Sequence, residues 1–248
     1  MDDRKAFFAI HGWWGSGKTW VMHTAPGPRL IFDTEGGSED VPVHQLHWDP
    51  INDKGLPEGI TPDTSVMIDV NDYNQVRGGM ALLRSGQHPF ESFGLDSLTE
   101  SQKQLKTSVA NPGEAYDPNA VFDQQAWGRL LNNGELLIRE MRDLTRKGAV
   151  KRMNGVVLMG SDTESMPAKP LLQGALRKSL AGFFDLEGYL FVATHPETKE
   201  DIRVLQISPN ETAEAKCRLH NVKVAFGSHI ENPDIQAILK TINGGTPQ

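Results

Sequence analysis

Gly12-Trp13-Trp14-Gly15-Ser16-Gly17-Lys18-Thr19 sets glycines, a lysine and a hydroxyl in the pattern G-x-x-x-x-G-K-[ST], whose chemistry is the grip of a polyphosphate. Its glycines let successive backbone N–H groups turn inward around phosphate oxygens, and the dipole of a following helix favours the same negative charge. Lys18 is then set to reach β- and γ-phosphates, and Thr19 to offer its hydroxyl to Mg²⁺. The apolar run 6–10 before the loop and the helical stretch after it supply a context that a chance glycine-rich turn lacks. For Trp13 and Trp14 core packing is the more frequent fate, with a partner or a nucleotide base as the alternative.

A magnesium–nucleotide site also needs a carboxylate at the end of a nearby strand. Asp96, in Phe93-Gly94-Leu95-Asp96-Ser97, is the favoured candidate. Asp69 has the more apolar lead-in, Val66-Met67-Ile68, but Asn71 and Asp72 after it read as a helix opening. Hydrolysis needs a group that positions water in line with the terminal phosphate, and Glu35 suits it by following a second strand that is expected beside the phosphate loop. From spacing alone a solvated loop carboxylate is an equal reading of Glu35. His11 and His195 have no metal-ligand spacing, so the expected metal ligands are Thr19 and Asp96 only.

These groups need elements to hold them. Short apolar runs at 6–10, 30–32 and 156–159 alternate with helical patterns at 72–85 and 124–144, as in a largely parallel sheet with crossover helices. A weaker strand is expected at 90–95 and a short one near 43–46 in an otherwise irregular stretch, 38–66, with four prolines. Residues 189–194 and 203–207 read as a hairpin, and 234–242 as a last helix stopped by Gly244-Gly245. The polar segment 101–122 reads as a loop after a short helix, a candidate for ordering on binding.

With 248 residues, 38% of them hydrophobic, the chain fits one α/β domain spanning 1–248. A net charge of −7 argues against coating nucleic acid by bulk electrostatics and leaves only local basic grooves. The densest basic stretch, Arg142, Arg146, Lys147, Lys151 and Arg152, is better read as a solvated helix end than as a phosphate track. A single cysteine, Cys217, and the lack of a long apolar run favour a cytoplasmic protein with no membrane partner.

The segments GWWGSGKT, LIFDTEGG, GLDSLTE, QAWGRLLNNGELLIREMRDL, FFDLEGYLFV and EAKCR together resemble the RecA/Rad recombinase core, and in particular the short phage-encoded RecA-like ATPases of single-strand annealing and recombination. The resemblance covers most of the chain. It implies a RecA-like P-loop core, a mostly parallel sheet flanked by helices with antiparallel strands toward the C-terminus. It also implies an ATPase using ATP and Mg²⁺, single-stranded DNA as partner, a homo-oligomeric ring or filament, help from a single-strand-binding protein, and the cytoplasm of a bacterial host.

Residue by residue, the resemblance makes Glu35 the activator of the attacking water and Asp96 the Walker B aspartate. It puts the γ-phosphate sensor at Ser161 or Asp162, a departure from the family's glutamine or histidine. The second DNA-binding loop falls at 163–180 with Lys169, Arg177 and Lys178, and the first at 109–124. Lys216 and Arg218 resemble the cations that such assemblies present to a neighbouring subunit's nucleotide. Two alternatives stay open: a nucleotide-gated binding or assembly module without useful turnover, and a P-loop kinase of a small acceptor.

Overall fold

A computed structural model describes residues 3–110, 123–162, 164 and 166–246. The segment 109–124, expected to hold the first DNA-binding loop, therefore falls mostly outside the described residues. Along the chain run β1 (Phe7–Gly12), α1 (Lys18–His23), β2 (Arg29–Asp33), β3 (Gln45–His47), β4 (Ser65–Asp69), α2 (Tyr73–Ser85), β5 (Ser92–Asp96), α3 (Leu98–Ala110) and α4 (Gln124–Asp143). There follow β6 (Asn154–Asp162), β7 (Lys169–Pro170), α5 (Leu176–Leu180), β8 (Leu186–Thr194), β9 (Asp201–Gln206), β10 (Lys216–Cys217), α6 (His220–Phe226), β11 (His229–Glu231) and α7 (Ile235–Ile242).

The sheet order is β11-β9-β8-β1-β6-β5-β2-β4-β3, with β10 beside β8 and β7 beside β6. From β8 through β3 all neighbours on this path are parallel, whereas β9, β10 and β11 pair antiparallel. The α/β class with antiparallel strands toward the C-terminus is thus as expected. Parallel strands must be covered on both faces, and the side chains show it by alternating between two cores. Phe7, Ala9, Leu30, Phe32, Phe93, Leu95, Val157 and Met159 pack under α2, α3, α4 and α5. Phe8, Ile10, Ile31, Val156 and Leu158 pack on the other face with Val21 and Met22 of α1 and with residues of α6 and α7.

One expectation holds and one changes. The helix opens at Asp72 as read: Asp69 closes strand β4, and Asp72 is the N-cap of α2, where Asp72 and Gln75 satisfy each other's backbone N–H groups in a capping box. β2 does not lie beside β1: β6 and β5 are inserted between them. A helical crossover fixes the hand of a connection, not the adjacency of its strands.

β5 is weakly hydrophobic because the space a side chain at Gly94 would need is filled by Met22 of α1 and Ile31 of β2. A β-carbon there would overlap Met22 Sδ and lie 2.8 Å from Ile31 Cδ1. Gly94→Val is expected to cost about 2–3 kcal/mol by overpacking in urea unfolding, and less in a Met22→Ala background, where the vacated space takes the new methyls. An equal cost in both backgrounds would sink this account of the glycine.

Candidate functional site

The parallel strands all end at one edge, and there the chemistry-bearing residues gather. Gly12 ends β1, the loop turns through Gly15 (φ 75) and Gly17 (φ 88), and α1 begins at Lys18. These left-handed φ values suit glycine. Lys18 Nζ donates to the carbonyls of Gly12 at 3.1 Å and Trp13 at 2.9 Å, so its ammonium lies across the loop. Burial pulls its pKa down, while the Asp96 and Glu35 carboxylates push it up.

Thr19 Oγ1 donates to Asp96 Oδ2 at 2.6 Å, which brings together the two expected metal ligands. Asp96 is buried, and burial raises its pKa to about 7; the Thr19 hydrogen bond and Lys18 oppose the rise, and Glu35 and Asp33 add to it. Asp69, in contrast, is exposed and bound to His47 Nδ1 at 2.8 Å on the far side of β2. Of the two carboxylates, Asp96 is the one that stands beside Thr19.

Glu35 reaches this group in spite of the intervening strands. Asp33 accepts from the N–H groups of Glu35, Gly36 and Ser38, which folds the chain after β2 back over the strand ends. Thr34 Oγ1 accepts from the N–H of Ser97 at 2.8 Å and lies 3.0 Å from the carbonyl of Asp96, joining the ends of β2 and β5. Ser97 Oγ then donates to Glu35 Oε1, and the Asp96–Ser97 peptide is cis. Asp33 and Thr34 were not singled out in the sequence, although Asp-Thr-Glu-Gly-Gly carries the turn chemistry that would have found them.

One buried carboxylate beside one hydroxyl is an oxygen donor pair suited to Mg²⁺, which characteristically takes only one or two protein ligands and completes its shell with phosphate and water. Among the described residues no three His, Cys, Asp or Glu side chains converge on a metal site. The donor set therefore fits a cation carried in with a polyphosphate.

Ser161 has a partner that restricts it. His11 Nε2 lies 2.8 Å from the carbonyl of Glu214, which can only accept, so Nε2 carries the proton. His11 Nδ1, 2.8 Å from Ser161 Oγ, is then the acceptor, and the Ser161 hydroxyl donates to it. Ser161 has no second proton for a phosphate while it holds His11. Asp162 stands across from Lys169 in the β6–β7 ladder and accepts from the N–H of Glu164 at 3.1 Å.

The remaining cations are dispersed. Arg177 pairs with Glu214 at 3.1 Å; Lys178 is on the same helix, α5. Lys216 Nζ donates to the carbonyl of Ala181 in its own chain. Arg218 is exposed and, among the described residues, has no side-chain partner. β10 sets Lys216 opposite Glu187, and the Arg218 N–H bonds to the Asp185 carbonyl, whereas Gly12 lies opposite Leu190. Arg218 is thus about 16 Å along the sheet from its own loop at ~3.3 Å per residue, out of reach of a nucleotide held there. In the basic stretch at the end of α4, Arg142 pairs with Asp143, Lys151 donates to the His88 and Pro89 carbonyls, and Arg146 and Lys147 are exposed. Trp13 and Trp14 do not enter a core; they are 49% and 65% exposed and pack edge to face on each other.

A strand, a glycine-rich loop and a helix, with carboxylates at the ends of neighbouring parallel strands, define a P-loop nucleoside-triphosphate-binding protein. Residues 4–219 match the family model described as the AAA domain, and the chain belongs to that family. Among solved structures it is similar to one described as an ATPase domain, with 10% identity and a TM-score of 0.45 over 86% of this chain and 80% of that one. It is also similar to a prototypical ATPase from the type III secretion system of pathogenic bacteria, with 12% identity and a TM-score of 0.39 over 75% of this chain and 52% of that one. No curated protein matches the chain significantly. None of the described helices is long and apolar enough to cross a membrane.

Burial pushes His11 and His23 down to about 4 from the usual 6.5. A histidine whose folded pKa is lowered contributes stability that is complete above 6.5 and lost as pH falls through 6.5 toward 4. Each is worth at most about 3 kcal/mol. His11→Gln is expected to flatten the fall in unfolding free energy between pH 6.5 and 4 relative to wild type. Parallel pH curves for the two proteins would refute the buried neutral state.

Proposed function

We propose that this protein is a Mg²⁺-dependent ATPase of RecA-like type that works as a homo-oligomer on single-stranded DNA, in phage homologous recombination or single-strand annealing. The observation that carries the ATPase reading is the continuous link from the loop's Thr19 to Asp96 and, through the adjoining Ser97, to Glu35. With the loop N–H groups and Lys18 holding the phosphates, Thr19 and Asp96 would hold the cation. Mg²⁺ held there would supply charge neutralisation to the polyphosphate. Glu35, oriented by Ser97, takes a proton from a water as its oxygen bonds to the γ-phosphorus. The bond from that phosphorus to the bridging oxygen breaks, giving ADP and phosphate.

Assembly follows from the resemblance, and in it the exposed Arg218, distant from its own loop, would meet the nucleotide of another copy of the chain. The exposed Trp13, Trp14 and Trp20 around the loop are aromatic surface of the kind that interfaces bury. The DNA reading rests on the sequence resemblance and on Lys169, which stands opposite Asp162 at the loop end of β6, with Lys178 further along on α5. Lys216, tied to Ala181, serves this reading by fixing the strand that presents Arg218.

Single-turnover hydrolysis with and without single-stranded DNA tests the proposal. Wild type is expected to cleave ATP faster with DNA. Glu35→Gln should lose at least about 100-fold in rate while its ATP affinity stays within about threefold. Tight ATP binding without cleavage in either condition would leave the module without turnover, and phosphate transfer to a nucleotide would favour the kinase. For Arg218, inactive Arg218→Ala chains mixed with inactive Lys18→Ala chains should regain part of the activity. No recovery at any ratio would refute a role across subunits.

A further inference from the structure

Arg203 takes no part in the groups described so far. It lies in β9 opposite Val192 of β8 and on the same face as Leu205, which packs in the core with Val21 and Met22 of α1. On that face its side chain extends to the phosphate loop. The guanidinium lies against Gly17, where a β-carbon would overlap its Nε. Its backbone is pinned by Asn232, whose Oδ1 accepts from the Arg203 N–H at 3.1 Å and whose own N–H donates to the Arg203 carbonyl at 2.7 Å.

The Arg203 side chain is exposed and, among the described residues, makes no hydrogen bond or ion pair. A guanidinium carries five donors on a plane that stacks well on aromatic rings, and it is less tightly hydrated than an ammonium. One held on a phosphate loop with its donors unspent is placed for a ligand.

The sheet order says which part of a ligand it would meet. Asp96 and Glu35 lie on the side of β1 taken by β6, β5 and β2, whereas β8 and β9 lie on the other. A nucleoside triphosphate whose terminal phosphate faces those carboxylates directs its nucleoside half toward β8 and β9. We infer that Arg203 forms the nucleoside side of the site, its guanidinium stacking on the base of the bound triphosphate. This rests on the reading of the loop as a triphosphate site.

The experiment compares binding of ATP and of inorganic tripolyphosphate, both with Mg²⁺, to the full chain as wild type, Arg203→Ala and Arg203→Lys. Arg203 is exposed, and thermal melts check that the variants fold. Arg203→Ala is expected to weaken ATP binding about tenfold and to leave tripolyphosphate within about twofold. Arg203→Lys, which keeps the charge and loses the plane, should not restore ATP affinity. An unchanged ATP affinity in Arg203→Ala, an equal loss for both ligands, or full rescue by lysine each overturns the stacking role. If wild type binds ATP and one of these follows, only this inference falls; if wild type binds neither ligand, the triphosphate reading falls with it.

Discussion

A carboxylate at the end of a strand buried on both faces is expensive unless something meets its charge. Asp96 is in that position, since β5 lies between β6 and β2 beneath two helical layers. The hydroxyl of Thr19 meets one oxygen, and Lys18 is the nearby cation. These partners come from the loop that follows β1, two strands away. The need to satisfy Asp96 therefore ties the glycine-rich loop to the middle of the sheet, and the loop's shape and the carboxylate's charge state become one problem.

The same economy appears around His11. A histidine fully buried at the end of β1 must find a partner for each ring nitrogen, and it finds them in β6 and in the chain just before β10. Because a carbonyl fixes one nitrogen as donor, the direction of the Ser161 bond follows without further information. The residue next to the phosphate loop is thereby joined to Glu214, which also holds Arg177, and to the strand that carries Lys216. A displacement of Ser161 would be felt by the helix α5 and the edge of the sheet together, because buried groups tolerate an unpaired polar atom poorly.

Much of this was legible in the chain. β1, β2 and β6 are apolar runs because both faces of a parallel strand are covered, and the phosphate loop has fixed spacing because each glycine and the lysine have separate tasks. β5 was faint, since Gly94 yields its side chain to Met22, and the two-residue strands β7 and β10 have no periodicity to read. Glu35 was singled out on a wrong premise of adjacency; what brings it beside Ser97 is the turn capped by Asp33 and the Thr34 bridge. Arg203 had no sequence signal, because its relation to Gly17 is set by a hairpin folding back beside the loop. Trp13 and Trp14 defeated the usual expectation for large aromatics, which is statistical and gives way where a loop's backbone faces its ligand and its side chains have nowhere to go but outward.

That outward placement gives the molecule a built-in optical reporter. Of its five tryptophans, Trp13, Trp14 and Trp20 lie on or next to the phosphate loop and are about half exposed, Trp48 is buried in the core, and only Trp127, on α4, is exposed elsewhere. Indole emission responds to nearby charge and to water. The protein's intrinsic fluorescence is therefore weighted toward the one region where a polyanion would change both, and occupancy of the loop can be followed on the unlabelled chain.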